Sequence, residues 1–288
     1  MISGFDNDSK IGDEIFIIAE IGINHNGDLE LAKELMKIAK DSGCDAVKFQ
    51  KRTIDIVYTQ DFLKEHRDSP WGTTQREQKE GLEFDESDYR EIDSFAEEIG
   101  IIWFASAWDI PSQNFLNEFN IPINKIASAM ATNLEFVEHV AKEQKPTFVS
   151  TGMTTINEIE QVVDIFKRNN CKITLMHTNS EYPSPEENLN LKCITTLKEK
   201  FDLPVGYSGH EPSVSPSLIA ACLGATAIER HITKDRSSYG SDQAASLEEV
   251  GLKNLVDMVR KVPVVLGDGV KTITEQEEII AKKLRYWL

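Results

Sequence analysis

The sequence predicts a single (β/α)8 TIM barrel. Two observations carry that prediction. Eight short apolar runs alternate with segments of helical periodicity, the pattern of parallel strands buried on both faces and joined by helices over about 250 residues. Polar residues with useful chemistry collect where those runs end, and barrels of this kind place their sites at the C-terminal ends of the strands. The rival is a doubly wound open sheet, whose glycine-rich first turn has GxGxxG spacing. The stretch Glu20-Ile-Gly-Ile-Asn-His-Asn-Gly27 does not fit it.

Taken in order, Ile15-Phe-Ile-Ile-Ala19 is a continuous apolar run ending at Glu20, followed by turn formers from Gly22 to Gly27. Leu29, Ala32, Leu35, Met36 and Ala39 then recur at helical spacing, and Gly43 closes the helix. Ala46-Val-Lys-Phe-Gln50 is the second strand, which completes a βαβ unit. Residues 52–84 break the rhythm. They are polar and aromatic, with Ser69-Pro-Trp-Gly72 as a turn, and a long segment of this kind is functional or mobile. Residues 85–98 resume a helix. The remaining strands are expected at 101–105, 123–127, 146–149, 172–176, 204–207 and 226–230. Helices are expected at 111–119, 133–143, 155–169, 188–200, 213–223, 247–261 and 274–285, with Ser246 and Glu249 forming a capping box. No linker or internal repeat interrupts the series. The expected organisation is an N-terminal extension, 1–14, as a hairpin closing the barrel bottom, and a barrel over 15–288.

The net charge of −17 argues against nucleic acid or an anionic membrane as partner. An anionic metabolite can still bind where lysines or a metal gather locally. Cys44, Cys171, Cys193 and Cys222 form no CxxC pair and read as reduced core residues of a cytoplasmic protein. The N-terminus does not read as a signal peptide, and the longest apolar run, 217–227, is too short to span a membrane.

The residues at the strand ends are Glu20; Lys48 and Gln50; Ser106; Lys125 and Ser128; Ser150; Ser180 and Tyr182; Ser208 and His210; Glu229 and His231. Lysines and hydroxyls suit a phosphate and a carboxylate. His210 and His231 lie one strand–helix unit apart. They suit a shared divalent metal, or are one buried and one surface histidine. Lys48 and Lys125 are flanked by apolar residues within strands. Facing the outer helices would bury an unpaired charge, so they should point into the barrel mouth. There they meet an anion, or an internal partner such as Glu20. Asp242 is a third metal ligand, a base, or part of the loop before the helix near 247. His25 is expected near the site, and His66 and His139 in solvent.

Ile18-Ala-Glu-Ile-Gly-Ile-Asn-His-Asn-Gly27, Val47-Lys-Phe-Gln50, Lys125-Ile-Ala-Ser128, Ser150-Thr-Gly-Met153, Tyr182-Pro183, Gly206-Tyr-Ser-Gly-His210, Ile228-Glu-Arg-His231 and Gly240-Ser-Asp242 together resemble the sialic acid synthase family. The resemblance runs from about residue 11 to 270. It implies condensation of phosphoenolpyruvate with an open-chain, N-acylmannosamine-like aldose, giving a 2-keto-3-deoxy sugar acid and phosphate. A shorter aldose would give another 3-deoxy-ulosonate, and a barrel that binds a sugar phosphate without turnover is the alternative of another class. By position, His210 and His231 resemble the ligands of a divalent ion, Mn2+ first, with Mg2+ or Co2+ as alternatives. Lys48, Lys125, Ser128, Ser150, Ser180 and Ser208 resemble the phosphoenolpyruvate shell. Glu20 resembles the acid beside the reacting centre, and Gln50, Tyr182 and Asp242 resemble sugar-side or metal-side residues. A homo-oligomer is implied as well. Three features depart from the pattern. The sequence stops at Leu288, before the family's antifreeze-like C-terminal domain, so a barrel-only member is expected. Met130 stands where a sugar-holding glutamate is expected. Gln243 replaces a common histidine, and the insert with Trp71 and Arg76 has no clear counterpart.

Overall fold

The computed structural model of the chain describes residues 3–5 and 14–287. Ten strands follow in order: β1 (Phe16–Gly22), β2 (Ala46–Lys51), β3 (His66–Ser69), β4 (Gly72–Thr74), β5 (Ile102–Ala107), β6 (Asn124–Ile126), β7 (Thr147–Ser150), β8 (Ile173–Thr178), β9 (Val205–Gly209) and β10 (Ala227–His231). Eight of them close into a parallel barrel in the order β1-β2-β5-β6-β7-β8-β9-β10, while β3 and β4 form a separate hairpin. Each expected strand falls on a barrel strand. Every residue of β1, β6, β7, β9 and β10 is buried, as parallel strands covered on both faces require.

The barrel interior is filled from below by aromatic rings. Phe16 and Phe104 lie 5.9 and 6.3 Å from Phe148, centroid to centroid, and Phe5 packs under Phe148 at 4.3 Å. Ser3–Phe5 is a single 3-10 turn, with the Gly4 carbonyl accepting from Thr174 Oγ1 at 2.6 Å. It closes the bottom of the barrel. The hairpin expected over 1–14 falls largely on residues outside those described. Side chains on a strand alternate between faces, so the inner face that begins with Phe16, Phe104 and Phe148 continues upward to Glu20, Ser106 and Ser150.

The 52–84 insert is structured. Two short helices, Ile54–Val57 and Gln60–Lys64, precede the β3–β4 hairpin, and helix Gln75–Leu82 follows it. The insert docks on the loop after β1 through two glycines. Gly27 is left-handed (φ +69), and a side chain there would collide with the Gly81 carbonyl; one at Gly81 would collide with the Trp71 indole. Trp71 packs edge-on against Tyr239, 5.9 Å away, and Tyr239 OH donates to the Asp68 carbonyl at 3.4 Å. The insert therefore joins the loop after β10 and forms part of the barrel's rim.

Several local expectations are corrected. The last barrel helix runs Glu249–Leu266 without a side-chain cap. Ser246 Oγ instead donates to the Asp242 carbonyl at 2.7 Å and accepts from Asn24 Nδ2 at 2.8 Å, so it is not free to cap. Cys44 and Cys171 are buried, but Cys193 is half-buried and Cys222 exposed. Arg76 faces solvent, paired with Asp55 at 2.6 Å and Glu80 at 2.9 Å. Gln243 is buried, hydrogen-bonded to Thr233 Oγ1 and bracing the loop at Tyr239 O.

Candidate active site

A cavity of about 170 Å³ opens at the C-terminal mouth of the barrel. Glu20, Lys48, Gln50, Ser106, Lys125, Ser128, Ser150, Ser180, Tyr182, Ser208, His210 and His231 all line it. Of the selected residues only Asp242 stands outside the lining, its carboxylate 3.7 Å from His231 Nδ1. Glu229, Trp108, Thr178 and Met153 also line the cavity. Glu229, counted among the strand ends but given no role there, is a site residue. It lies two positions before His231 on β10, and the strand period of two puts both on the inner face. Met130 is not part of the lining; it packs against the core.

One wall is a buried charge cluster. Glu20 and Lys48 are register partners on β1 and β2, and Glu20 and His231 on β1 and β10. Lys48 Nζ lies 3.2 Å from Glu20 Oε2 and 3.3 Å from Glu229 Oε1, and donates to Ser106 Oγ at 3.0 Å. The internal partner foreseen for Lys48 is thus present, and a second carboxylate joins it. Two carboxylates share one ammonium, and they titrate apart. Burial raises Glu20 to about 7, with Lys48 opposing and Glu229 adding to the rise. Burial acts the same way on Glu229, but Lys48 and Lys125 outweigh it and hold that carboxyl at about 2. Gln50 Nε2 fixes Glu20 Oε1 at 2.8 Å. Gln50 in turn is held by Tyr89 OH on its carbonyl at 3.0 Å and by Arg52 on its side-chain oxygen. Gly22 is left-handed beside them (φ +57), and a Cβ there would press on Glu20, Gln50 and His231 at 3.1–3.3 Å.

The opposite wall is a set of hydroxyls around Lys125, which is fully buried and has no salt bridge among the described residues. Its ammonium donates to Ser150 Oγ at 2.6 Å and to the Ile126 carbonyl at 3.1 Å. Burial lowers it to about 8, with Glu229 resisting. Gly152 N donates to Ser128 Oγ at 3.1 Å. A methyl group at Gly152 would collide with Ser180 Oγ and lie 2.7 Å from Ser128 Oγ. Bare backbone at Gly152 thus lets Ser128 and Ser180 converge.

The two histidines form the third wall, with ring centroids 5.4 Å apart. His210 Nδ1 donates to the Asn179 carbonyl at 2.6 Å. A carbonyl only accepts, so the proton sits on Nδ1 and Nε2 keeps a lone pair; it accepts from Tyr182 OH at 2.7 Å. His231 Nδ1 is buried with no hydrogen-bond partner. Burial lowers both imidazoles to about 3, so they are neutral and available as ligands. Among the described residues no three His, Cys, Asp or Glu side chains are grouped to enclose an ion. Two neutral imidazoles side by side, one with a buried unpartnered nitrogen, are donors that fit a divalent metal.

Behind His210, Arg230 anchors its loop. Arg230 pairs with Glu211 at 3.0 Å and donates to the Ser213 carbonyl at 2.9 Å, and Tyr207 OH donates to Glu211 at 2.7 Å. His25 is buried one layer out, stacked on Phe84 at 4.0 Å, and does not line the cavity. His66 is exposed and lies 3.4 Å from Asp68. His139 is hydrogen-bonded to Asn114 at the surface.

A parallel barrel whose mouth joins an unpaired lysine, converging hydroxyls, two neutral imidazoles and a carboxyl poised near neutrality belongs to a class. It is that of barrel enzymes acting on a small phosphorylated acid. The NeuB family model matches residues 35–271. The chain is 40% identical to the N-acetylneuraminate-9-phosphate synthase of Homo sapiens, over 93% of this chain and 76% of that protein. It is 38% identical to the N,N'-diacetyllegionaminic acid synthase of Campylobacter jejuni, over 91% and 80%. It superposes with a TM-score of 0.83 on an N-acetylneuraminic acid (sialic acid) synthetase from Leptospira borgpetersenii in complex with citrate, at 32% identity, covering 96% of this chain and 94% of that one. The chain belongs to the NeuB family.

Proposed function

We propose that this chain is a phosphoenolpyruvate-dependent synthase of nonulosonate type. It condenses phosphoenolpyruvate with an open-chain, N-acylmannosamine-like aldose to give a 2-keto-3-deoxy sugar acid and phosphate. The observation that carries this reading is the division of one cavity into an anion half, Lys125 with Ser128, Ser150 and Ser180, and an imidazole half, His210 and His231. A site of about 170 Å³ is smaller than the roughly 300–1,000 Å³ of drug-sized pockets, and suits a three-carbon acid.

In this reading Lys125 and the serines hold the phosphate and carboxylate of phosphoenolpyruvate. C3 attacks the aldehyde carbon, water adds at C2, and the C2–phosphate bond breaks. Glu20, raised to about 7, both gives and takes a proton near neutral pH, and Gln50 keeps it aimed at the reacting centre. Lys48 holds Glu229 ionised beside it. His210 and His231 would hold a divalent ion, Mn2+ in this proposal, and the chemistry it would supply is Lewis-acid polarisation of the aldehyde oxygen.

The protein, with Mn2+ and phosphoenolpyruvate, is assayed for phosphate release against a panel of free and phosphorylated aldoses. Release that depends on an aldose is expected. Release with none of them ends this reading and leaves a non-catalytic barrel. The four unpaired cysteines support a reducing, cytoplasmic setting. Among the described residues no helix is long and apolar enough to cross a membrane. Association with a second copy is part of the proposal, supported by exposed Val264, Val265, Ile279, Ile280 and Trp287. A monomer in sedimentation at micromolar concentration would remove that part.

A further inference from the structure

Two cations on the rim, Arg67 and Lys79, are used by none of this chemistry, and a third, Arg52, is used only to hold Gln50. Arg67 comes from β3, Lys79 from helix Gln75–Leu82, and Arg52 directly follows β2. Arg67 and Lys79 have no carboxylate partner among the described residues. The Arg67 contact is Nε to Tyr239 OH, at 3.5 Å. Lys79 Nζ lies over the Tyr58 ring, 5.2 Å from its centroid. Arg52 stacks on Trp108 at 4.4 Å and meets Glu83 at 3.4 Å, yet its Nε is buried without a hydrogen-bond partner. Arg67 and Lys79, two like charges with no carboxylate in contact among the described residues, are unfavourable side by side. The strain registers on Lys79: burial, then Arg67 and Arg52, lower it to about 8, with Asp242 opposing.

The cluster has a direction relative to the site. Arg52 holds Gln50, which holds Glu20. Lys79 interacts with Asp242, whose carboxylate is 3.7 Å from His231. Arg67 contacts Tyr239 on the same loop after β10 that carries Asp242, so these cations border the imidazole side of the cavity, where the far end of an acceptor held at the histidines would lie.

We propose that the sugar acceptor carries a phosphoryl group at the end remote from its aldehyde, and that Arg67 and Lys79 bind it. Phosphoenolpyruvate adds three carbons at the aldehyde, so a 6-phosphate on a six-carbon acceptor becomes a 9-phosphate on the product. Relatives of nearly equal similarity include both a named 9-phosphate synthase and a synthase named for a product without one. Similarity therefore does not decide the matter, and the rim charges do.

This inference rests on the synthase reading above, and its test separates the two. Aldoses are supplied in pairs, free and as the terminal phosphate ester: N-acetylmannosamine, mannose and arabinose. kcat/KM is measured with Mn2+ and saturating phosphoenolpyruvate. At least one ester is expected to exceed its free sugar by about 100-fold or more. Arg67→Ala and Lys79→Ala are each expected to lower that ratio about 10- to 100-fold, the factor for losing one charge-assisted hydrogen bond. The loss should appear in the KM for the ester, and Lys79→Arg should restore much of it. Free sugars used as well as their esters, or ratios unchanged in both variants, overturn the phosphate site and leave the synthase standing. No release with any sugar overturns both.

Discussion

His231→Ala is expected to lose metal and activity together. His231 Nδ1 is a buried nitrogen without a partner, beside a second neutral imidazole. Two protein nitrogens are the whole imidazole set at this site, so deleting one should weaken Mn2+ binding by at least about 100-fold, more than loss of an outer-shell partner usually costs. Lewis-acid polarisation is worth several kcal/mol, so kcat should fall about 10³-fold. Titration calorimetry with Mn2+ reads the first effect, and aldose-dependent phosphate release the second. His210→Ala is expected to behave alike. The folded chain should tolerate either change, because both imidazoles are held neutral and no buried countercharge is orphaned. A variant with full Mn2+ affinity and wild-type turnover would refute the assignment.

Lys125→Met should separate stability from function. Lys125 is fully buried, and its lowered pKa of about 8 against an ordinary 10.5 means that folding disfavours its charged form. The sign follows directly. Below about pH 8 both the folded and unfolded states are protonated, and the full penalty is present; it fades between pH 8 and 10.5. At neutral pH the penalty is roughly 3 kcal/mol. Lys125→Met is therefore expected to raise the melting temperature at pH 7 while phosphoenolpyruvate binding weakens about 10- to 100-fold. In the parent enzyme kcat/KM for phosphoenolpyruvate should decline above about pH 8, as Lys125 loses its proton, and Lys125→Met should lack that limb. A variant that melts lower and still binds phosphoenolpyruvate normally would exclude this role.

Most of the inner site was legible because barrel strands leave so few places for a polar side chain. A lysine within an apolar run, such as Lys125, has only the inner face on which to avoid an unpaired burial. The serines that end β7 and β9 follow the same logic. What stayed hidden was partnership. Glu20 was foreseen as an internal partner of Lys48, but Glu229, from the last barrel strand, joins it as well, and no local pattern announces that closure. Glu229 was visible as a strand-end residue, but its ionisation depends on two lysines from distant strands. Ser246 shows the reverse case: its spacing to Glu249 promised a cap, and Asn24 and the Asp242 carbonyl took its hydroxyl instead.

The sequence by itself determined the alternation of strands and helices, the faces the strands bury and the mouth at which chemistry collects. Hydrophobic periodicity and chain connectivity are local, and they suffice for that. Only the tertiary structure decided the opposite pKa shifts of Glu20 and Glu229, the addition of Glu229 to the Lys48–Glu20 pair, and the gathering of Arg52, Arg67 and Lys79 on the rim. Those outcomes depend on electrostatics across closely packed groups, and closure of the barrel and docking of the 52–84 insert bring those groups together from far apart in the chain.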